Sequence, residues 1–280
     1  CATQPAFDPA SVADASGEIT RIEHLSWWTQ MRTPLQLLVA GEAIADYDVR
    51  IEGGRGVKAT AVHRADSPNY LFVDVQIDDA AAPGTYYLVF SKEGREFKMP
   101  YEIAARREGS AQRGSFSTAD MIYLLMPDRF ANGNPDNDST PDTQEKADRT
   151  AFFRRHGGDI QGILDHLDYI ADLGATVIWP TPLLLDDEPE GSYHGYACAD
   201  YYRIDPRFGS NEEYRDLVAE AHEKGLKVIM DVVTNHCGTA HWWMRDLPFE
   251  DWIHQFPEYT ATNVCFSTNM DPNASKYDLN

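Results

Sequence analysis

The sequence has few cysteines, a shortage of basic residues and no long hydrophobic run. Only 4 of its 280 residues are cysteines, and Cys198, Cys237 and Cys265 are too widely spaced for a zinc pattern. Lysine and arginine total 24 against 45 aspartates and glutamates, a formal net charge of -21. This charge argues against nucleic-acid and anionic-membrane partners. No apolar stretch approaches the roughly 20 residues that a membrane-spanning helix needs.

The chain starts at Cys1 rather than at methionine. A signal-cleaved lipoprotein whose Cys1 carries lipid would start in this way, and so would a fragment boundary. The first alternative predicts an extracytoplasmic protein, periplasmic or lipid-anchored through Cys1. Residues 1–18 contain Ala, Pro and Ser without periodicity and are predicted to be a leader or tether.

Alternating apolar residues predict a β-sandwich over residues 19–105. Hydrophobic side chains recur at every second position in several short runs, such as Leu35, Leu37 and Val39, and Pro83-Gly84 supplies a turn. Trp27-Trp28 could stack on a sugar ring or pack in a core or domain interface. Residues 106–117 are charged and rich in Gly and Ser, which is typical of a linker.

The pattern changes at residue 118, where near-continuous apolar runs replace alternating ones. Three such runs, at 121–126, 176–179 and 228–233, predict parallel strands buried on both faces. Asp231, Asn235 and His236 lie at or just past the end of the third run, the position of functional residues in a (β/α) barrel. Residues 118–236 are therefore predicted to form barrel units, and residues 237–280 an insertion after the third strand.

Two helices are predicted between these strands. Asp159 stands at an N-cap position before apolar residues at helical spacing from Ile160 to Ala171. Ser210 and Glu213 form a capping box, and the helix that follows ends at Lys224-Gly225.

Two loops contain side chains that could bind a ligand. Side-chain oxygens crowd the loop after the first strand, where they could bind Ca²⁺ or simply make turns; they belong to Asn132, Asn134, Asp136, Asn137 and Asp138. The segment 192–209 holds four tyrosines and a histidine. These rings could stack on a ring-shaped ligand or pack on the barrel rim.

Four motifs, in order and at matching spacing, resemble the α-amylase superfamily of glycoside hydrolases. They are DVVTNH (231–236), YHGY (193–196), DRFANGNPDND (128–138) and GGDIQGI (157–163). The DRFANGNPDND loop (128–138) and SWWTQMRTPLQLLV (26–39) look like the neopullulanase and cyclomaltodextrinase branch. The resemblance implies an N-terminal all-β, immunoglobulin-like sandwich followed by the first three of eight βα units of a (β/α)8 TIM barrel.

The resemblance also implies roles for individual residues. His194, Tyr196 and His236 would bind a glucose ring, Tyr196 by stacking, and Asp231 and Asn235 would support the strand end. A Ca²⁺ site is implied at Asn132, Asn134, Asn137, Asp138, the Gly157 carbonyl and Asp159.

Members of the superfamily cleave α-1,4-glucosidic bonds with retention, using an Asp nucleophile and a Glu acid/base. Both are expected beyond Asn280, so no catalytic residue is predicted in this chain and the segment alone is expected to be inactive. The implied partners are an α-glucan oligosaccharide or polysaccharide and a second copy paired through the sandwich. A non-catalytic glucan-binding amylase-like protein is the alternative.

Overall fold

A computed structural model describes residues 19–254 except residues 32 and 113. Within this range the chain divides into two compact units, residues 19–105 with 247–254, and residues 106–246. Each unit is described by itself. The predictions for the leader, Cys1 and Cys265 lie outside the described residues.

The first unit is a β-sandwich of two four-stranded sheets, which confirms the predicted fold. One sheet has the strand order β1-β3-β6-β5 and the other β2-β8-β7-β4. The strands are β1 (Ile19–Glu23), β2 (Ser26–Trp28), β3 (Leu35–Gly41), β4 (Asp48–Glu52), β5 (Val57–Arg64), β6 (Tyr70–Ile77), β7 (Gly84–Lys92) and β8 (Arg95–Ala104), with a short 3-10 turn at Ile44–Asp46.

The alternating residues of the sequence form the sandwich core. In the β3–β6 pair Leu37 lies opposite Val73, and both side chains are completely buried. Because strand side chains alternate between faces, one sheet surface faces this core and the other faces outward. Trp27 packs against the core, whereas Trp28 is 41% exposed.

A segment far along the chain packs on the outer face of this sandwich. The Phe249 ring stacks on Phe72 of β6 with centroids 5.6 Å apart. The Pro248 carbonyl accepts hydrogen bonds from the backbone N–H groups of Asp66 and Ser67, at 3.0 and 3.1 Å. Of the predicted insertion 237–280, residues 237–246 belong to the second unit and residues 247–254 to the first. The remainder of the predicted insertion lies outside the described residues.

The second unit holds three parallel strands in one sheet, with β10 between β9 and β13. This confirms the partial (β/α) barrel. Its elements are β9 (Ile122–Leu125), α1 (Pro127–Phe130), α2 (Ile160–Leu164), α3 (Leu167–Asp172), β10 (Val177–Pro180), β11 (Leu184–Asp186), β12 (Cys198–Ile204), α4 (Asn211–Glu223) and β13 (Lys227–Val228). Short 3-10 turns lie at Ser110–Gln112, Pro135–Asn137, Ser192–His194 and Trp242–Arg245.

Both predicted N-terminal helix caps are present in the structure. The Asp159 side chain accepts a hydrogen bond from the Gly162 N–H, and Ser210 accepts one from the Glu213 N–H. The predicted helix from 160 to 171 is interrupted, however, since α2 ends at Leu164 and α3 begins at Leu167.

The expectation that all three strands are buried on both faces is wrong for the outer two. Strand β13 ends at Val228, and Met230 and Val232 beyond it are 43% and 44% exposed. Leu124 on β9 is 57% exposed. Among the described strands, β9 and β13 each pair only with β10, so both are sheet edges with fewer neighbours to cover them.

No helix in residues 19–254 is long and apolar enough to cross a membrane.

Candidate functional site

Four of the residues singled out from the sequence come together at the carboxyl end of the strands. The Tyr196 hydroxyl donates to Asp231 Oδ2 at 3.2 Å. His236 Nε2 lies 2.9 Å from the Tyr196 carbonyl oxygen, and the His194 and Tyr196 rings have centroids 5.9 Å apart. Two separate loops therefore meet at Tyr196, which is 39% exposed.

Asp231 also contacts the central strand. Trp179, near the end of β10, donates its indole N–H to Asp231 Oδ2 at 3.0 Å. One carboxylate oxygen thus receives hydrogen bonds from both Trp179 and Tyr196. This contact fits the supporting role predicted for Asp231 and adds Trp179, to which the sequence assigned no role.

The hydrogen bonds of His194 set its tautomer. The Tyr196 backbone N–H donates to His194 Nδ1 at 3.0 Å, so Nδ1 carries no proton and Nε2–H is the donor of the neutral ring. Burial lowers the pKa of His194, an effect that the charge of Arg155 reinforces and that of Glu145 opposes. His194 therefore offers a neutral donor.

Both nitrogens of His236 have partners inside the protein. Asn235 Nδ2 lies 3.1 Å from His236 Nδ1, and Nε2 faces the Tyr196 carbonyl. With Nδ1 as acceptor, Nε2–H donates to that carbonyl. His236 thus joins the loop after β13 to the loop that carries Tyr196, and its contact with a sugar stays a prediction.

Gly195 gives the YHGY segment its shape. Its φ is +80°, in the left-handed region that favours glycine. A Cβ atom at this position would also collide with the Pro182 carbonyl oxygen. The glycine therefore lets the chain turn sharply between His194 and Tyr196.

A buried ionic network contacts the YHGY loop at Ser192. The Glu145 carboxylate accepts from the Ser192 N–H and Oγ at 2.7 and 2.6 Å. Arg155 donates to Ser192 Oγ at 3.1 Å and pairs with Asp205, which also pairs with Arg207 at 2.8 Å. Burial alone would raise the pKa of Asp205, but the two guanidinium groups hold it below its usual range.

Asp186 connects this network to the loop. Its carboxylate accepts from the Ala197 and Glu188 N–H groups at 3.0 and 3.2 Å, and Oδ2 lies 3.8 Å from His194 Nδ1. Burial raises the pKa of Asp186 to about 7, an effect that the charge of Asp205 increases.

The structure also gathers the predicted metal ligands. Asn132 Nδ2 donates to Asp138 Oδ1 at 2.6 Å. The Asp138 carboxylate lies so close to Gly157, whose φ is +86°, that a Cβ there would collide with it. Asp159 accepts from the Gly133 and Asn134 N–H groups at 3.1 and 2.8 Å. These contacts connect the loop at residues 132–138 to residues 157–159, at the start of α2.

Two oxygens in this cluster suit a cation. The side-chain Oδ1 atoms of Asn132 and Asn137 are buried and have no hydrogen-bond partner in the described part of the chain. Burial raises the pKa of Asp138, and the charges of Asp159 and Asp128 add to the rise. Asn134 Oδ1 accepts from the Asp136 N–H at 3.2 Å, as a turn cap does.

The described residues contain no group of three or more His, Cys, Asp or Glu side chains that could hold a metal ion. The cluster at Asn132 is different in kind, because amide and carbonyl oxygens supply most of its predicted ligands. Ca²⁺ is bound by amide and backbone carbonyl oxygens as well as by carboxylates.

Comparison with known proteins agrees with this geometry. The family described as "Alpha amylase, catalytic domain" matches residues 124–269, just over half of the chain. The family described as "Cyclomaltodextrinase, N-terminal" matches residues 21–107.

Three curated relatives show the extent of the similarity. A cyclomaltodextrinase of Geobacillus thermopakistaniensis (strain MAS1) is 42% identical over 158 residues, 52% of this chain and 26% of the relative. Neopullulanase 2 of Thermoactinomyces vulgaris is 38% identical over 159 residues, 53% of this chain and 26% of the relative. An intracellular maltogenic amylase of Bacillus subtilis (strain 168) is 35% identical over 203 residues, 65% of this chain and 33% of the relative.

The matches thus span between a quarter and a third of the length of these relatives. The catalytic-domain match includes the loops 128–138 and 192–209 and is sufficient to assign the family. This chain belongs to the α-amylase family of glycoside hydrolases.

Proposed function

We propose that the complete protein hydrolyses α-1,4-glucosidic bonds in starch, pullulan or cyclomaltodextrins, with retention of anomeric configuration. The observation that carries this proposal is the convergence of Tyr196, His194 and Asp231 at the carboxyl end of the parallel strands. In a barrel of this class that end binds the substrate. The names of the relatives, cyclomaltodextrinase, neopullulanase and maltogenic amylase, support the same substrate class.

The described residues would bind and orient the substrate. Tyr196 offers a partly exposed aromatic face, which suits the apolar face of a pyranose ring. His194 Nε2–H would donate to a sugar hydroxyl, because its Nδ1 is occupied by the Tyr196 N–H. Asp231 would hold the Tyr196 ring in position through its hydroxyl.

The chemical step requires two further carboxyl groups. Hydrolysis with retention uses two carboxyl groups about 5–5.5 Å apart, one as nucleophile and one as acid/base. We propose that an Asp and a Glu elsewhere in the complete protein supply them. Residues of this chain would then fix the sugar ring against those groups.

A Ca²⁺ ion at the loop after β9 is part of the proposal. Asn132, Asn137 and Asp138 would supply side-chain oxygens, with the Gly157 carbonyl, Asn134 and Asp159 completing the set. The two buried amide oxygens of Asn132 and Asn137, which have no hydrogen-bond partner among the described residues, support this. When bound, the ion would neutralise the buried carboxylates and fix the loop against the start of α2.

A linkage-resolved hydrolysis assay tests the proposed function. The complete protein is incubated with cyclomaltodextrin, pullulan and soluble starch, and with a β-1,4-glucan as control, and new reducing ends are measured. We expect products from at least one α-glucan and none from the β-glucan. Binding of α-glucan without any turnover would favour the alternative, a non-catalytic glucan-binding protein.

Pairing of two copies through the sandwich also stays a proposal, which the molar mass of the complete protein in solution tests. Lipid attachment at Cys1, with the extracytoplasmic location that it implies, is tested by mass spectrometry of the purified protein.

A further inference from the structure

The segment that carries His236 has no regular secondary structure to hold it. Strand β13 ends at Val228, and residues 229–240 form neither helix nor strand. This segment nevertheless bears Asp231, Asn235 and His236, three of the residues placed in the site. Its position must therefore depend on contacts with other parts of the unit.

At the C-terminal end of the segment, Thr239 and Ala240 make hydrogen bonds to one carboxylate, that of Glu188. Its Oε1 accepts from the backbone N–H groups of Thr239 and Ala240, at 2.5 and 3.2 Å. The Thr239 hydroxyl lies 2.9 Å from Oε1 and 2.8 Å from Oε2. Glu188 thus takes up two consecutive backbone donors and one side-chain donor, beginning three residues after His236.

The contacts continue toward His236. The Gly238 N–H donates to the Cys198 carbonyl at 2.8 Å, and the Tyr201 hydroxyl donates to the His236 carbonyl at 2.8 Å. Residues 236–240 therefore run beside the beginning of β12, with Glu188 at one end and Tyr196 at the other.

Glu188 is itself held in place. Its backbone N–H donates to Asp186 Oδ1 at 3.2 Å, and the Asp186 side chain is completely buried. Asp186 also binds the Ala197 N–H, next to Tyr196. Buried Asp186 thus binds backbone N–H groups near both ends of the loop 187–197. Glu188 in turn connects this loop to the segment that carries His236.

We propose that Glu188 is a positioning residue, which acts on the substrate site by fixing the segment 236–240 so that His236 stays against the Tyr196 carbonyl. The inference rests on the proposed function for its consequence in catalysis, although the positioning itself does not. Neither the motifs nor the family resemblance gave Glu188 a role.

The charge of Glu188 matters to this role. Hydrogen bonds from neutral donors to a carboxylate are roughly twice as strong as those between neutral groups. Without the carboxylate, water would bind the Thr239 and Ala240 N–H groups but would not tie them to the loop 187–197. Glutamine keeps one carbonyl oxygen as acceptor, so it should restore part of the function that alanine loses.

The first test observes His236 directly and needs no substrate. In the complete protein, the imidazole NMR signals of His236 are assigned with a His236→Ala variant and then recorded for Glu188→Ala, Glu188→Gln and Glu190→Ala. Glu190 is the matched control, because it lies in the same loop and pairs with Arg154 at the surface. We expect the signals to shift or broaden in Glu188→Ala, to recover partly in Glu188→Gln and to stay unchanged in Glu190→Ala.

The second test is a double-mutant cycle on kcat/KM with a maltooligosaccharide. Glu188→Ala alone should lower kcat/KM about tenfold, the loss that one charge-assisted hydrogen bond corresponds to. In a His236→Ala background the same substitution should have little further effect, because Glu188 acts through His236. Thr239→Val, which removes only the hydroxyl donor, should have a smaller effect than Glu188→Ala.

The outcomes separate this proposal from the proposed function. Unchanged His236 signals in a folded Glu188→Ala protein, or equal losses in the wild-type and His236→Ala backgrounds, would overturn the positioning role. If wild-type protein turns over no α-glucan while the His236 signals respond to Glu188→Ala as expected, the positioning role stands and the proposed function fails.

Discussion

The Tyr196 hydroxyl donates to Asp231 Oδ2 at 3.2 Å, and so connects the YHGY loop to the segment that follows the third strand. From the sequence alone, only the ring of Tyr196 had a proposed use. The structure gives the hydroxyl a second use, which is to fix the ring. Burial and the negative charge of Asp231 raise the pKa of Tyr196, so the hydroxyl stays a donor.

This contact predicts a measurable effect of Tyr196→Phe. Loss of one hydrogen bond of about 1 kcal/mol should lower kcat/KM on maltooligosaccharides about fivefold, and Tyr196→Ala should lower it further because the stacking face is lost. Tyr169→Phe is the control, since Tyr169 is an exposed tyrosine on α3. Activity of Tyr196→Phe equal to that of the control would show that the hydroxyl has no role.

His194 should be neutral at pH 7 and titrate below its ordinary pKa of 6.5, because burial disfavours the charged ring. The folded state then binds fewer protons than the unfolded state as the pH falls from 6.5 toward the folded pKa. His194 should therefore reduce stability across that window as the pH falls. An NMR titration of the complete protein, with the signal identified by His194→Gln, measures the pKa. A value above 6.5 would show that burial does not disfavour the charged His194 ring.

Chelation should destabilise the complete protein if Ca²⁺ binds at Asn132, Asn137 and Asp138. A ligand that binds only the folded state raises the midpoint of thermal unfolding, and its removal lowers it. Asn137→Ala should weaken the response to added Ca²⁺, whereas Asp136→Ala, an exposed residue of the same loop outside the proposed ligands, should not. The same midpoint with and without chelator, together with no metal by elemental analysis, would leave the loop as a set of turns.

The buried network should contribute much more to stability than surface ion pairs do. Asp205→Asn leaves Arg155 and Arg207 buried without their carboxylate and should cost roughly 3–5 kcal/mol in the free energy of unfolding. Asp142→Asn, which removes an exposed pair with Arg203, should cost at most about 1 kcal/mol. Denaturant unfolding of the complete protein compares the two variants. Similar losses in the free energy of unfolding would mean that the buried network stabilises the protein no more than a surface ion pair does.

The sequence predicted those features that depend on local pattern. Alternating apolar residues predicted the sandwich, and the capping residues Asp159 and Ser210 predicted where two helices begin. The three apolar runs predicted the three parallel strands, which are neighbours in the order of the sequence. The motifs identified Tyr196, Asp231 and His236, which the structure brings together.

Features that depend on contacts between distant residues were missed. Nothing in the segment around Glu188 signals that its carboxylate binds Thr239, 51 residues away. The pairing of Arg155 with Asp205 likewise appears only when the loops fold together. Strand length also depended on neighbours, because Val232 is apolar but lies beyond an edge strand that ends at Val228.

The most direct test of the account is a structure of the complete protein with a bound, uncleaved maltooligosaccharide. We predict a glucose ring stacked on Tyr196, with a sugar hydroxyl within hydrogen-bonding distance of His194 Nε2 and Asp231 still bonded to the Tyr196 hydroxyl. An oligosaccharide bound in the active site with the Tyr196 ring uncovered and His194 without a sugar contact would contradict the central claim.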